Sequence, residues 1–165
     1  MKTIYLIGFM GSGKTSVAKY VAEKLNCITV DTDQLIEENY QTTIPEIFSN
    51  YGEATFRNYE KHILQTLRTE NLVVATGGGI VETEENSDWM KNHGVVIYLE
   101  TSWEQIVERL QEDQSRPIWN NRQIDKQLLL QKRNEKYQKA ATHQVITDGK
   151  MPDELAEEIL ELIKQ

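Results

Sequence analysis

A chain of 165 residues, 39% hydrophobic and 27% charged, fits one globular domain with a real core. Its net charge of −8 argues against a general nucleic-acid binder, which carries basic excess, but leaves room for a local basic pocket that takes a small anion. A lone cysteine, Cys27, excludes an intrachain disulfide and a cysteine-based metal site, and it is expected to pack as a small buried hydrophobe. The opening Met1-Lys2-Thr3-Ile4 is interrupted too soon by glycines and Lys14 to act as a signal peptide. No apolar run is long enough to span a membrane. The cytoplasm is the expected compartment, and a monomer is expected because no exposed apolar seam stands out.

In chain order, Thr3 to Ile7 predicts a strand, followed by a glycine loop and a helix through about Leu25. Cys27 to Val30 predicts a second strand ending at Asp31. From Glu53 to Arg68, the residues Phe56, Tyr59, Ile63, Leu64 and Leu67 recur at helical spacing and predict one apolar face. Leu72 to Ala75 predicts a third strand, Val95 to Leu99 a fourth and Gln144 to Thr147 a fifth. The last segment, Asp153 to Lys164, carries Leu155, Ile159, Leu162 and Ile163 on one face, with Pro152 just before it and Asp153 as its expected cap. There is no repeat, low-complexity block or linker. Strands that alternate with helices and read as buried throughout imply a parallel sheet covered on both sides. Ligands in such sheets bind beyond the C-terminal strand ends, so functional residues are expected just after Ile7, Val30, Ala75 and Leu99.

The first of these places holds Gly8-Phe9-Met10-Gly11-Ser12-Gly13-Lys14-Thr15. The spacing Gly8-x-x-x-x-Gly13-Lys14-Thr15, between a strand and a helix, fits the P-loop pattern. Backbone N–H groups and the helix N-terminus would face one anion. Lys14 can reach the β- and γ-phosphates, and the Thr15 hydroxyl can ligate Mg²⁺. The pattern specifies ATP or GTP and leaves the acceptor unnamed.

Asp31-Thr32-Asp33 follows the second strand. One carboxylate can hold Mg²⁺ through water while the other accepts a hydrogen bond from a hydroxyl; equally, Asp33 can serve as a plain helix cap. Arg57 and Glu60 stand three apart on a helix and can pair, presenting the guanidinium to a carboxylate. They can equally form a surface salt bridge. Phe48 and Phe56 can supply apolar walls. After the third strand, Gly77-Gly78-Gly79 lets backbone approach a ligand. That strand ends in Ala75-Thr76 rather than aspartate, so the metal carboxylate must come from elsewhere, and Asp31 is the nearest candidate.

Together these motifs resemble the shikimate kinase family. The ordered set is the loop Gly8 to Thr15, Asp31-x-Asp33, Phe48-x-x-x-Gly52-Glu53-x-x-Phe56-Arg57-x-x-Glu60, Gly77-Gly78-Gly79, Arg116-Pro117 and Arg133-x-x-x-Tyr137. The resemblance implies an α/β, three-layer P-loop kinase fold, nucleoside monophosphate kinase-like, with a five-stranded parallel sheet in order 2-3-1-4-5. It implies one domain over 1–165, with a shikimate-binding helical segment at about 33–60 and a lid at about 112–124. The implied reaction is ATP-dependent phosphorylation of the 3-hydroxyl of shikimate, on the route to chorismate and the aromatic amino acids. Lys14, Asp33 and Arg116 would be catalytic. Gly11, Ser12, Gly13, Lys14, Thr15, Ser16, Arg109 and Arg116 would bind ATP, with the Asp148 to Pro152 loop beside adenine. Asp33, Arg57, Gly78 and Arg133 would bind shikimate. One Mg²⁺ would sit on Thr15 and, through water, Asp31. Partners would be these small molecules, with neither nucleic acid nor membrane.

The chain departs from the family pattern in the lid. Ile118 follows Arg116-Pro117 where leucine is common, a swap that conserves volume. The lid continues as Trp119-Asn120-Asn121-Arg122 without glycine, and Arg122 adds a second charge there. Two other classes compete: a kinase for another polyol acid or a nucleotide, and a non-catalytic P-loop switch. The switch would lack a complete acceptor site.

Overall fold

The apolar run Thr3–Ile7 forms the middle strand of a five-stranded sheet. The computed structural model describes residues 1–111 and 124–165. The strands are β1 (Thr3–Ile7), β2 (Ile28–Asp31), β3 (Leu72–Ala75), β4 (Gly94–Glu100) and β5 (His143–Ile146). Their order is β2-β3-β1-β4-β5, and every neighbouring pair is parallel. Thus Leu6 pairs with Ala75 on one side and Ile97 on the other, which brings the C-terminal ends of β1, β3 and β4 level.

Alternation along β1 assigns its side chains to two cores. Ile4 and Leu6 pack with Val17 and Val21 of α1 (Lys14–Leu25) and with Leu155 and Ile159 of α8 (Pro152–Ile163). Tyr5 and Ile7 face the other way. Their cover comes from α4 (Glu53–Thr66), α5 (Glu84–His93), α6 (Trp103–Leu110) and α7 (Lys126–Ala140), through residues that include Leu64, Met90, Ile106 and Tyr137. A third, smaller core joins α2 (Thr32–Tyr40), α3 (Ile44–Tyr51) and α4 through Ile36, Ile47, Phe56 and Ile63. It holds a helical platform off the sheet edge, beside the C-terminal ends of β2 and β3.

Several local expectations need correction. The strands are not all buried: β2 and β5 are sheet edges, and Ile28 and Ile146 are each 57% exposed, because an edge strand has a neighbour on one side only. Cys27 is half-exposed rather than core; it lies between α1 and the edge strand β2, and its thiol donates to Leu25 O. Pro152 is the first residue of α8, not its prelude; Met151 is the cap residue, and Asp153 lies inside the first turn. Proline's fixed φ suits that first helical position. Strand β5 starts and ends one residue earlier than predicted. Among the described residues no helix is long and apolar enough to cross a membrane.

Candidate active site

At the C-terminal end of β1 the chain enters the glycine loop. Gly13 has φ 92°, a left-handed conformation that suits glycine, and no side chain caps α1 there. The first N–H groups of α1 therefore point at the loop mouth, where an anion can satisfy them. The Lys14 ammonium donates to Gly8 O at 2.7 Å and Phe9 O at 3.0 Å. Ser12 is buried, whereas Thr15 and Ser16 are exposed at the mouth. Arg109 crosses from α6 and donates to Gly11 O at 3.0 Å. Asp148, beyond β5, accepts from the Ser102 N–H at 2.9 Å. The hydrogen bonds from Ser102 hold its carboxyl below the usual range, with Arg109 adding to the effect.

The two aspartates after β2 divide their work. Asp31 is the cap of α2: one oxygen accepts from the Gln34 N–H at 3.1 Å, and the other accepts from the Thr15 hydroxyl at 3.0 Å. The capping alternative for Asp33 is therefore overturned, because the helix begins at Thr32, two residues too early for it. Asp33 sits in the first turn and lines both cavities of the site. Thr15 and Asp31 bring a hydroxyl and a carboxylate together beside Lys14, an all-oxygen set suited to a hard cation such as Mg²⁺, which is commonly held by one or two carboxylates plus substrate phosphates.

One cavity, of about 280 Å³, is lined by Gly11, Gly13, Lys14, Thr15, Ser16 and Arg109. Its neighbour, of about 440 Å³, lies between the sheet and the α2–α3–α4 platform. Asp31, Asp33 and Gly78 belong to the walls of both. The larger cavity has an apolar side, where Phe48 and Phe56 stand 4.9 Å apart between ring centroids. Its opposite side is charged.

Arg57 extends from α4 between two carboxylates, donating to Glu60 at 3.1 Å and Glu53 at 3.1 Å. Burial works against its positive charge, but these two partners outweigh burial and raise its pKa above the ordinary value. Glu60 is wholly buried. Burial, opposed by Arg57 and reinforced by the charge of Asp33, pushes its carboxyl up to about 7. Arg133 comes from α7 with 2% of its side chain exposed. Its guanidinium lies 5.8 Å from the Phe9 ring centre, and Glu82 stands 3.9 Å from its Nε. Burial of this kind holds a cation only with compensating partners.

The triple glycine explains how these charges fit. A β-carbon on Gly77 would stand 2.6 Å from Asp33 Oδ1 and 2.9 Å from Glu60 Oε2. On Gly79 it would overlap the Arg57 guanidinium. Gly77 N–H donates to Thr32 Oγ1 at 3.0 Å, and the Tyr137 hydroxyl donates to Gly78 O. Side chains here would fill the space that Asp33, Arg57 and Glu60 occupy.

The structure therefore brings Lys14, Thr15, Asp31, Asp33, Arg57, Gly78, Arg109 and Arg133 to one end of the sheet. Arg116, Pro117, Ile118, Trp119 and Arg122 lie outside the described residues. Sequence reasoning missed Glu82, which carries no motif signal and is found only through its contacts with Arg133 and Lys136. Tyr137 stands in the motif set beside Arg133, but its role becomes visible only in the structure, where its hydroxyl donates to Gly78 O.

The shikimate kinase family model matches residues 10–164. A shikimate kinase of Bacillus cereus (strain AH187) is 40% identical over 166 residues, covering 100% of both chains. The chain belongs to the shikimate kinase family. Another relative, the shikimate kinase of Persephonella marina, is 42% identical over 165 residues, 99% of this chain and 100% of that one. The solved shikimate kinase from Acinetobacter baumannii, in complex with shikimate, superposes with a TM-score of 0.95 at 36% identity, covering 99% of this chain and 93% of that one. Membership in the shikimate kinase family makes the chain a phosphoryl-transferring enzyme with the expected sheet order. The two cavities meet at a common wall.

Proposed function

We propose that the chain transfers the γ-phosphoryl group of ATP to the 3-hydroxyl of shikimate, giving shikimate 3-phosphate and ADP on the route to aromatic amino acids. The observation that supports this reading best is the charge pattern of the acceptor cavity. In a chain of net charge −8, two arginines from different helices, Arg57 and Arg133, line one cavity whose wall includes Asp33. Shikimate is a small carboxylate with three hydroxyls. The arginines would bind the carboxylate, and charge-assisted hydrogen bonds of that kind are strong and directional. Asp33 and the Gly78 backbone would bind hydroxyls.

Phosphoryl transfer needs alignment and charge neutralisation more than covalent chemistry. Loop N–H groups and Lys14 would hold the phosphoryl oxygens and stabilise their charge. Ser12, Gly13 and Ser16 belong to the same donor side, and Arg109 would flank the base. Asp33, on the common wall, would orient the attacking hydroxyl and accept its proton. Thr15 and Asp31 would hold Mg²⁺, which when bound offsets negative charge on the phosphates. Helices at about 33–60 would form the acceptor platform of a single domain. By resemblance, 112–124 would be the lid and Arg116 its phosphate contact. A monomer in the cytoplasm is the expected form.

A coupled ADP-release assay with shikimate, gluconate and nucleoside monophosphates tests the reading. Shikimate should give turnover well above the others. Equal or greater turnover with gluconate or a nucleotide would overturn it.

A further inference from the structure

Glu60 is a buried charge that braces Arg57 through one oxygen and leaves the other to be explained. Its side chain has no exposure, and it lines the acceptor cavity. Oε1 accepts from Arg57 at 3.1 Å. Oε2 is buried and, among the described residues, accepts no hydrogen bond. It is turned toward Gly77, on the side where Asp33 also presents an oxygen. A carboxylate normally satisfies several acceptor sites, so a buried oxygen in this state accommodates a proton more readily than a charge.

Among the described residues, the charged groups around Glu60 come from four elements. Arg57 and the more exposed Glu53 lie on α4, Asp33 on α2 and Arg133 on α7, while Glu82 approaches Arg133 from the turn at Ile80–Glu82. In the free site the two arginines offset Glu60 and Asp33. An acid docked on those arginines brings another negative charge into the same space, and like charges at close range cannot all stay ionised cheaply.

We propose that Glu60 takes up a proton from solvent when a substrate carboxylate docks on Arg57 and Arg133, so that the pocket exchanges one negative charge for another. The inference rests on the reading that this cavity receives the carboxylate of shikimate. The step is a simple protonation, carboxylate plus H⁺ giving the carboxylic acid, and no bond to substrate forms or breaks. Because the group titrates at about 7 in the free protein, it is poised to respond near neutral pH.

Calorimetric titration of the whole protein with shikimate, in three buffers of different ionisation enthalpy, counts the protons. At pH 7 the expected uptake is about half a proton per shikimate bound, falling toward zero at pH 5.5. Affinity should weaken as pH rises above 7, by up to about tenfold per unit. In Glu60→Gln, both the buffer dependence and this pH trend should vanish. A purely structural role for Glu60 would instead lower affinity equally at every pH and leave proton uptake intact. Shikimate binding with no proton uptake at pH 7 would overturn the inference while leaving the acceptor reading standing. Absence of both binding heat and turnover would overturn the acceptor reading, and this inference with it. If Glu60→Gln fails to fold, the wild-type buffer series decides alone.

Discussion

The glycine loop opens on a cavity that shares Asp31, Asp33 and Gly78 with the larger cavity beside it, yet the loop and the larger cavity are built from different material. The loop is contiguous from Gly8 to Thr15, and its tools are backbone amides, one lysine and a helix end. The cavity draws side chains from α2, α4 and α7, far apart in the chain, and buries Arg133 and Glu60 almost completely. Phosphate chemistry recurs, so backbone alone can serve it. An acceptor with one carboxylate and several hydroxyls needs charges at fixed spacing, and those must be braced. Glu53 and Glu60 brace Arg57, and Glu82 stands behind Arg133.

Substitutions should separate the two sides. The largest effect is expected at Lys14. Lys14→Ala should lower kcat by about 10²- to 10³-fold, the usual loss when one preorganised donor to the transition state is removed. Shikimate affinity should change little. A kcat within tenfold of wild type would show that the loop works through its amides alone. Next comes Arg57→Ala, which removes a charge-assisted contact of about 1.5–3 kcal/mol. Steady-state kinetics should show a higher KM for shikimate with the KM for ATP nearly unchanged. An unchanged shikimate KM would remove Arg57 from the carboxylate site.

A smaller and sharper probe is Gly79→Ala. The backbone at Gly79, with φ −98°, tolerates alanine, so the added methyl acts only by crowding the Arg57 guanidinium. That guanidinium cannot move freely, because Glu53 and Glu60 pin it. The expected result is a shikimate KM raised about tenfold, within the range typical of overpacking, with kcat and ATP binding preserved. Equal loss on the ATP side would mean that the two halves are mechanically coupled through the triple glycine.

How much of this was legible in the sequence follows the same division. Strand positions came from short apolar runs bounded by glycine or aspartate, and the donor loop from local spacing. The acceptor set came from resemblance, because Arg57 and Arg133 are 76 positions apart and no local rule links them. The α4 pattern shows where residue type and position diverge. The predicted apolar face includes Tyr59, which packs partly buried against the third core, but omits Glu60, which is fully buried. Glu60 lies four after Phe56 and three before Ile63, so helical geometry placed it correctly while its charge argued against it. The exposed edges of β2 and β5 were invisible for the opposite reason: Ile28 and Ile146 are apolar, and only strand order reveals that they lack an outer neighbour.

Glu60 also yields the smallest predicted effect, on stability alone. Its folded-state pKa, about 7, lies above the ordinary glutamate value of 4.5. The folded protein therefore binds this proton more tightly than the unfolded chain. The resulting stabilisation is fully present below the unfolded value and is lost as pH rises through about 7. Between pH 6 and 8 the loss from this one group should be about 1 kcal/mol. Glutamine cannot ionise, so Glu60→Gln should lack this component of the pH dependence. Urea unfolding of both proteins across that range isolates the term, because contributions from carboxylates and histidines not coupled to Glu60 cancel in the difference. Parallel stability curves would mean that Glu60 is ionised throughout, held so by Arg57 and Arg133. The acceptor pocket would then balance its charges before substrate arrives, as the phosphate loop cannot.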